Sequence, residues 1–397
     1  MFLTQKHEKY RQKIREFALA EIEPLAHQID LEQKYPEGHT KKLCDMGILG
    51  LQVSPEYGGS FTDTLTYAIA VEELSRVCGS TGITVAAHCS LGTWPIFAFG
   101  SEEQKKKYLP PITSEPNLAS FGLTEPEAGS DAGATRTTAV KKDGGWLVNG
   151  TKCFITNASV GKTFVVTART TPGKGTKGIS SFILEKGMEG FSVGKKEDKM
   201  GLRGSDTATL HFDDLLILDE NRLGEEGQGF KEFMMTLDGG RISIGAMALG
   251  LAQGALDLAL KFAKERKQFG KSIIEFQAVG HKLADMATYI QAARHLIYHA
   301  AILKDKGVWY AKESAMCKLY ASEIGNWCCY QAIQIMGAYG YSTDHSPVER
   351  YWRDVKLCEI GEGTSEIQRL VISRELLKEE LTLPEGFFTI DASKLGG

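Results

Sequence analysis

The stretch Phe121-Gly122-Leu123-Thr124-Glu125-Pro126-Glu127-Ala128-Gly129-Ser130-Asp131 lies where the chain changes its periodicity, and the segments on either side of it decide the fold. Before it, residues 1–118 read as helices. Tyr10-Arg11-Gln12-Lys13-Ile14 opens a charged amphipathic stretch, and Ala68, Val71 and Leu74 recur three apart within 67–77. Breakers fall at Pro36, Pro55, Gly58-Gly59 and Pro110-Pro111. After it, residues 119–225 read as strands. Asp143-Gly144-Gly145 and Asn149-Gly150 are hairpin signals flanking Trp146-Leu147-Val148, and Phe164-Val165-Val166 and Phe182-Ile183-Leu184 are short apolar runs. Ala208, Leu210 and Phe212 alternate with Thr207, Thr209 and His211, the pattern of a half-buried strand. From 226 to 382 the helical period returns and lengthens. Leu251, Ala255, Leu258 and Phe262 keep steps of three and four, as do Leu283, Met286, Ile290, Ala293 and Ile297. Asp257 and Lys261 are spaced for an i,i+4 pair. The expected fold is multidomain α+β in the order α, β, α, with 383–397 as a tail.

Composition narrows the class. The 397 residues are 42% hydrophobic and 24% charged with net charge -4, which is a globular balance without the basic excess of a nucleic-acid binder. The N-terminus, MFLTQKHEKYRQKIREF, starts in a charged helical pattern and lacks the apolar core of a signal peptide. No long uncharged apolar run suggests a membrane span. The eight cysteines show no C-x-x-C spacing, so a reducing cytoplasm without disulfides is expected.

Five stretches can carry chemistry, and each has a plainer reading alone. The opening loop combines a hydroxyl, small residues and proline-fixed geometry, which suits close contact with a planar or phosphorylated ligand but also an ordinary interdomain loop. In Lys152-Cys153-Phe154-Ile155-Thr156-Asn157, Phe154 and Thr156 would share one strand face and could flank a ring system; a core Phe beside a surface Thr is the commoner meaning. Arg266-Lys267-Gln268-Phe269-Gly270-Lys271, followed by Gln277, reads as a helix ending at Gly270 with a basic cluster that compensates the helix dipole or holds a pyrophosphate. Gln334-Ile335-Met336-Gly337-Ala338-Tyr339-Gly340-Tyr341 reads as a helix C-cap. Finally, Glu359-Ile360-Gly361-Glu362-Gly363-Thr364-Ser365-Glu366-Ile367-Gln368-Arg369 places a carboxylate between glycines, with Ser365 and Gln368 spaced as the capping box of the next helix.

In this order the five stretches resemble the acyl-CoA dehydrogenase family, over essentially the whole chain to about Leu381. Met200-Gly201-Leu202-Arg203-Gly204-Ser205 and Leu237-Asp238-Gly239-Gly240-Arg241 look closest to its short-chain, butyryl-type branch. The resemblance implies an N-terminal helical domain (1–118), a β-barrel-like middle domain (119–225) and a C-terminal four-helix bundle (226–382). It also implies FAD as cofactor, an acyl-CoA thioester as substrate, and a trans-2-enoyl-CoA product. Glu362 would take the α-proton and flavin N5 the β-hydride. Electrons would pass to an electron-transfer flavoprotein, in a cytoplasmic homotetramer serving β-oxidation (or in the mitochondrial matrix, were this a mature form). By the same resemblance Phe121, Leu123, Thr124, Ser130, Phe154, Ile155 and Thr156 would line the flavin. Arg266, Phe269, Gln277, Gln334, Ile335, Gly337 and Ala338 would hold its pyrophosphate and adenine, partly across a subunit interface. Thr364 and Glu366 would touch the same FAD. Ser130, Asp238 and Arg241 would contact CoA, and Gly361 and Gly363 would sit beside the acyl group.

Three departures matter. Gly361 stands where short- and medium-chain members usually carry Tyr, which widens the expected pocket toward a branched, cyclic or bulky acyl group. Phe154 replaces the Trp of some members and keeps a stacking surface. Gly240 matches the helix position that supplies the base in the isovaleryl and long-chain branches; glycine cannot serve, so Glu362 has no competitor. An acyl-CoA oxidase is the enzymatic rival, although such enzymes usually add a C-terminal helical domain. A non-catalytic flavin- or CoA-binding scaffold is the rival from another class. His295 and His299, four apart, lack the acidic partner of an H-E-x-x-H metal site. Gly250 and Gly254 suggest close helix packing in a soluble core.

Overall fold

The computed structural model describes residues 3–36 and 38–379; the tail expected over 383–397 lies outside them. Helices run from Gln5 to Thr113, strands from Leu118 to Leu223, and helices again from Gly229 to Leu376. The order α, β, α therefore stands.

The middle region is one eight-stranded sheet. Its path runs Phe191–Lys196, Thr207–Leu218, Gly145–Thr156, Thr138–Lys142, Gly161–Arg169, Ile179–Glu185, Arg222–Leu223, with Leu118–Gly122 added in parallel beside Gly161–Arg169. The hairpin at Asp143-Gly144 forms as its sequence demands, with Lys142 opposite Gly145. The one expected at Asn149-Gly150 does not. Gly145–Thr156 continues through it, and Gly150, at φ 149°, sits at a register shift against Thr207–Leu218. Glycine here makes a bulge, because a Cβ would press on Thr137.

Two apolar cores serve the two architectures, and a third joins them. The N- and C-terminal helices share one cluster, which includes Leu283, Met286, Ile290, Ala293 and Ile297. The sheet has its own around Trp146, Phe164 and Phe182. Between them, Val53, Ile96 and Leu109 from the helices meet Val165, Ile183 and Phe233. Phe121 stacks on Phe233 at 4.0 Å between ring centroids, so the opening loop is anchored to both.

The Gly229–Glu265 helix organises the helical part. The segments 79–99 and Gly229–Glu265 are long and apolar enough to cross a membrane by composition, contrary to the sequence reading, yet 78% and 83% of their apolar windows are buried in protein. Gly250 and Gly254 let the Thr64–Ser75 helix approach closely: a Cβ at either would overlap the carbonyl oxygen of Glu72 or Arg76. Asp257 turns away from Lys261 and pairs instead with Arg76 and Gln253, since the packed helix brings a guanidinium nearer than the solvated lysine. All eight cysteines are free.

Candidate active site

Glu362 occupies a bend between helices. Its φ is 55° and that of Gly363 is 94°, a left-handed pair that glycine tolerates and glutamate adopts only under constraint. The constraint is visible. Lys318 Nζ donates to the Gly363 carbonyl at 2.6 Å, and Gln368 Nε2 donates to the same oxygen at 2.8 Å and to the Glu362 carbonyl at 3.2 Å. Gln368 is thus not half of a capping box with Ser365. The following helix is capped one residue earlier, by Thr364 accepting from the Ile367 N–H at 3.3 Å, and Gln368 is released to brace the bend.

Both Glu362 carboxylate oxygens are withdrawn from solvent and have no hydrogen-bond partner among the described residues. Burial pushes the group up to about 7, against the opposing pull of Lys318 and Arg241. Gly240 lies directly against Oε2, with Leu91 beside it. Arg241, almost fully buried, pairs with Asp238, whose carboxyl burial raises above its ordinary value. A partnerless, desolvated carboxylate is costly unless a ligand uses it.

The opening loop lies along the Gly145–Thr156 strand. Cys153 N–H donates to the Thr124 carbonyl at 2.9 Å, and the buried Lys152 Nζ donates to Leu123 O at 3.1 Å, Glu125 Oε1 at 2.6 Å and Thr167. Glu125 in turn accepts from the Arg136 and Thr137 N–H groups. Phe154 is neither core nor regular strand. It sits at φ 57° in a bulge that breaks the simple alternation with Thr156, and its ring is 65% exposed. Ile155 is buried and Thr156 half-buried, while Ser130 is exposed. An apolar ring turned outward beside hydroxyls and a braced loop suits a planar heterocycle, so these residues fit a flavin.

The basic stretch differs from its sequence reading. The helix ends at Glu265, and Lys267–Gln268 pairs with Lys271–Ser272 around a Phe269-Gly270 turn. Phe269 (φ 53°) and Gly270 (φ 82°) both need positive dihedrals, which end the helix in a hairpin rather than a basic cap. Arg266 lies over the Tyr339 ring, 5.7 Å from its centroid, so the hairpin and the Gln334–Ala338 run meet on one face. There Gln277, Gln334, Gly337 and Ala338 are exposed and Ile335 is buried. Among the described residues no hydrogen bond or ion pair links this face to the Glu362 bend. Thr364 is half-buried and Glu366 exposed. His295 bonds Gln291 at 2.6 Å.

Sequence reasoning missed Lys318 and the Glu125–Lys152 pair, and gave Gln368 a capping role in place of its bonds to the bend. Lys318 had a signal: it falls in step with Ser314, Ala315, Ala321, Ser322 and Gly325 on the buried face of Ala311–Met336, where a lysine is out of place.

Together, the chain combines a helix–sheet–helix order with a desolvated carboxylate at Glu362 and an outward-turned ring at Phe154 that suits a planar ligand. Models of the acyl-CoA dehydrogenase N-terminal, middle and C-terminal domains match residues 4–116, 120–215 and 227–377. The short-chain-specific acyl-CoA dehydrogenase of Clostridium acetobutylicum is 49% identical over 95% of this chain and 99% of its own. Butyryl-CoA dehydrogenase from Megasphaera elsdenii superimposes with TM-score 0.93 at 43% identity, covering 95% of this chain and 99% of that one. A solved chain from work on the electron transferring flavoprotein of Acidaminococcus fermentans has the same TM-score at 48% identity and the same coverage. The chain belongs to the acyl-CoA dehydrogenase family, oxidoreductases acting on CH–CH donors, and its cofactor is FAD.

Proposed function

We propose that the protein dehydrogenates a short acyl-CoA thioester across Cα and Cβ, with Glu362 as the base that takes the α-proton. The observation that carries this is the Glu362 carboxylate: buried, without a partner, and raised to about 7, it is ionised in a useful fraction at neutral pH yet basic enough to accept a carbon-bound proton. FAD, when bound, supplies the acceptor for the β-hydride. Phe154, Thr156 and the loop 121–130 would hold its ring system, and Arg266, Phe269, Gln277, Thr364, Glu366 and the residues from Gln334 to Ala338 its remaining parts. Asp238, Arg241 and Ser130 would meet CoA.

The likeness to a chain studied with an electron transferring flavoprotein supports such a protein as the electron acceptor. We extend the proposal to a cytoplasmic homotetramer on the family resemblance. Gly361 supports a branched or cyclic acyl group. Its backbone does not demand glycine, and a Cβ there would meet Leu357 first, at ordinary contact, 3.5 Å. The missing side chain, next in sequence to the base, is what this reading rests on.

Anaerobic titration with straight, branched and cyclic acyl-CoAs, following flavin bleaching, tests the reading. Bleaching by short acyl-CoAs in the wild type, lost about 10²–10⁴-fold in rate in Glu362→Gln with FAD retained, is expected. Rapid bleaching of the Gln variant would overturn it.

A further inference from the structure

We infer that Lys318 is the positioning residue of this site: its buried ammonium fixes the bend that carries Glu362 and sets the pH at which that carboxylate is free to take a proton. The inference rests on the reading of Glu362 as the base.

The molecule contains an internal comparison. Lys152 and Lys318 both have fully buried side chains. Lys152 has what a buried ammonium requires, a carboxylate at 2.6 Å and two further acceptors. Lys318 has none of this. Among the described residues it forms no ion pair, and its ammonium's one hydrogen bond goes to the Gly363 carbonyl, the peptide oxygen next to the base. A buried ammonium that donates to one peptide oxygen holds that peptide in place, as Lys304 holds the Gln52 amide at 2.9 Å. Lys318 is kept for the loop.

The surroundings of Glu362 point the same way. From Gly229–Glu265 comes Arg241, whose charge is engaged by Asp238. From Thr64–Ser75 comes Tyr67, held to the Ala86 carbonyl at 3.0 Å and raised by burial, hence neutral. From Lys356–Glu359 comes Cys358, pushed up by burial to about 12 and also neutral. Nearby Glu359 is occupied by Lys356 and Asn326. That leaves Lys318, from Ala311–Met336, as the cation acting on Glu362 that has no carboxylate partner of its own among the described residues. Glu362 in turn favours its charged form, and Lys318 itself is lowered to about 8 by burial.

The sign follows. An ammonium beside a buried carboxylate favours the ionised form, so its removal drives the pKa of Glu362 upward and the acid limb of proton abstraction to higher pH. Gln368 is the natural control, because it donates to the same carbonyl without carrying charge.

The experiment is the pH dependence of anaerobic flavin reduction by butyryl-CoA in the holoenzyme, for wild type, Lys318→Met and Gln368→Met. The Lys318→Met acid limb should move up by about one pH unit or more, a tenfold or greater loss of rate below the limb. Gln368→Met should lower the plateau and leave the limb in place. A Lys318→Met limb at the wild-type position, or an equal shift in Gln368→Met, overturns the inference. If Lys318→Met does not hold FAD, the infrared carboxyl band of Glu362, taken as wild type minus Glu362→Gln, gives its titration directly. The same band in the FAD-free Lys318→Met protein should titrate about one pH unit or more above wild type; equal midpoints overturn the inference. A Glu362→Gln enzyme that reduces its flavin at near wild-type rate would instead overturn the base reading itself, whatever the limb does.

Discussion

Gly240 and Glu362 compete for one volume: a Cβ at position 240 would overlap the Oε2 carboxylate oxygen and stand 3.0 Å from Leu91 Cδ2. Gly240 lies inside the long Gly229–Glu265 helix, where glycine costs about 0.5–1 kcal/mol relative to alanine. The helix therefore gives up stability to leave room for the carboxylate. Gly240→Ala should shift the base and lower the rate of flavin reduction by about 10²-fold, the penalty for displacing a reacting group by an ångström. FAD content and thermal stability should stay close to wild type. Stopped-flow reduction and flavin absorbance check both halves.

Glu362 also predicts a pH-dependent stability. Its folded value is about 7 against an ordinary 4.5, so the folded state holds the proton more tightly. The corresponding stability is fully present below 4.5 and is lost as pH rises through 7. At pH 8 the buried charge destabilises by about 3 kcal/mol, an order-of-magnitude figure from the two values. Glu362→Gln should melt above wild type at pH 8, and the gap should close toward pH 4.5. A gap that does not change with pH would contradict this.

Lys152→Met should be among the most damaging single changes. It leaves Glu125 buried without its counter-charge, for a loss of about 3–5 kcal/mol. It also frees the loop that Leu123 O and Glu125 fix against the Phe154 strand. The expected result is a purified protein with weakened FAD retention and a lower denaturation midpoint. Glu125→Gln/Lys152→Met, with the pair removed, should recover part of the stability.

Two glycines should answer oppositely to a side chain. Gly250→Ala drives a Cβ into the Glu72 carbonyl, a backbone atom held in its own helix, and should destabilise by about 1–3 kcal/mol as overpacking does. Gly361→Ala has ordinary contacts and should be nearly neutral in melting. Gly361→Tyr should keep activity with straight short acyl-CoAs and lose it with branched or cyclic ones, a selectivity change that kcat/KM ratios measure.

Much of the site was legible as residue types. The exposed ring at position 154, the acid at 362 and the glycine at 240 all stood in the sequence. Their geometry was less so. Phe154 read as a strand residue sharing a face with Thr156, and a bulge with positive φ turned it outward instead. The basic stretch read as a helix end because its charges fit a dipole, and the Phe269-Gly270 turn made a hairpin of it. Gln368 read as a cap because of its spacing from Ser365, and tertiary packing gave its amide the carbonyls of Glu362 and Gly363.

By itself the sequence determined the α, β, α order and the core face of the Gln277–Asp305 helix, and it offered Glu362 as a candidate base. Periodicity reports which side of such a helix is buried. Only the tertiary structure decided which groups surround that base. Lys318 meets Gly363 across 45 residues of chain, and Lys152 meets Glu125 across 27. Such partners are chosen by helix and strand packing in three dimensions, and the electrostatic character of a carboxylate depends on them as much as on its own side chain.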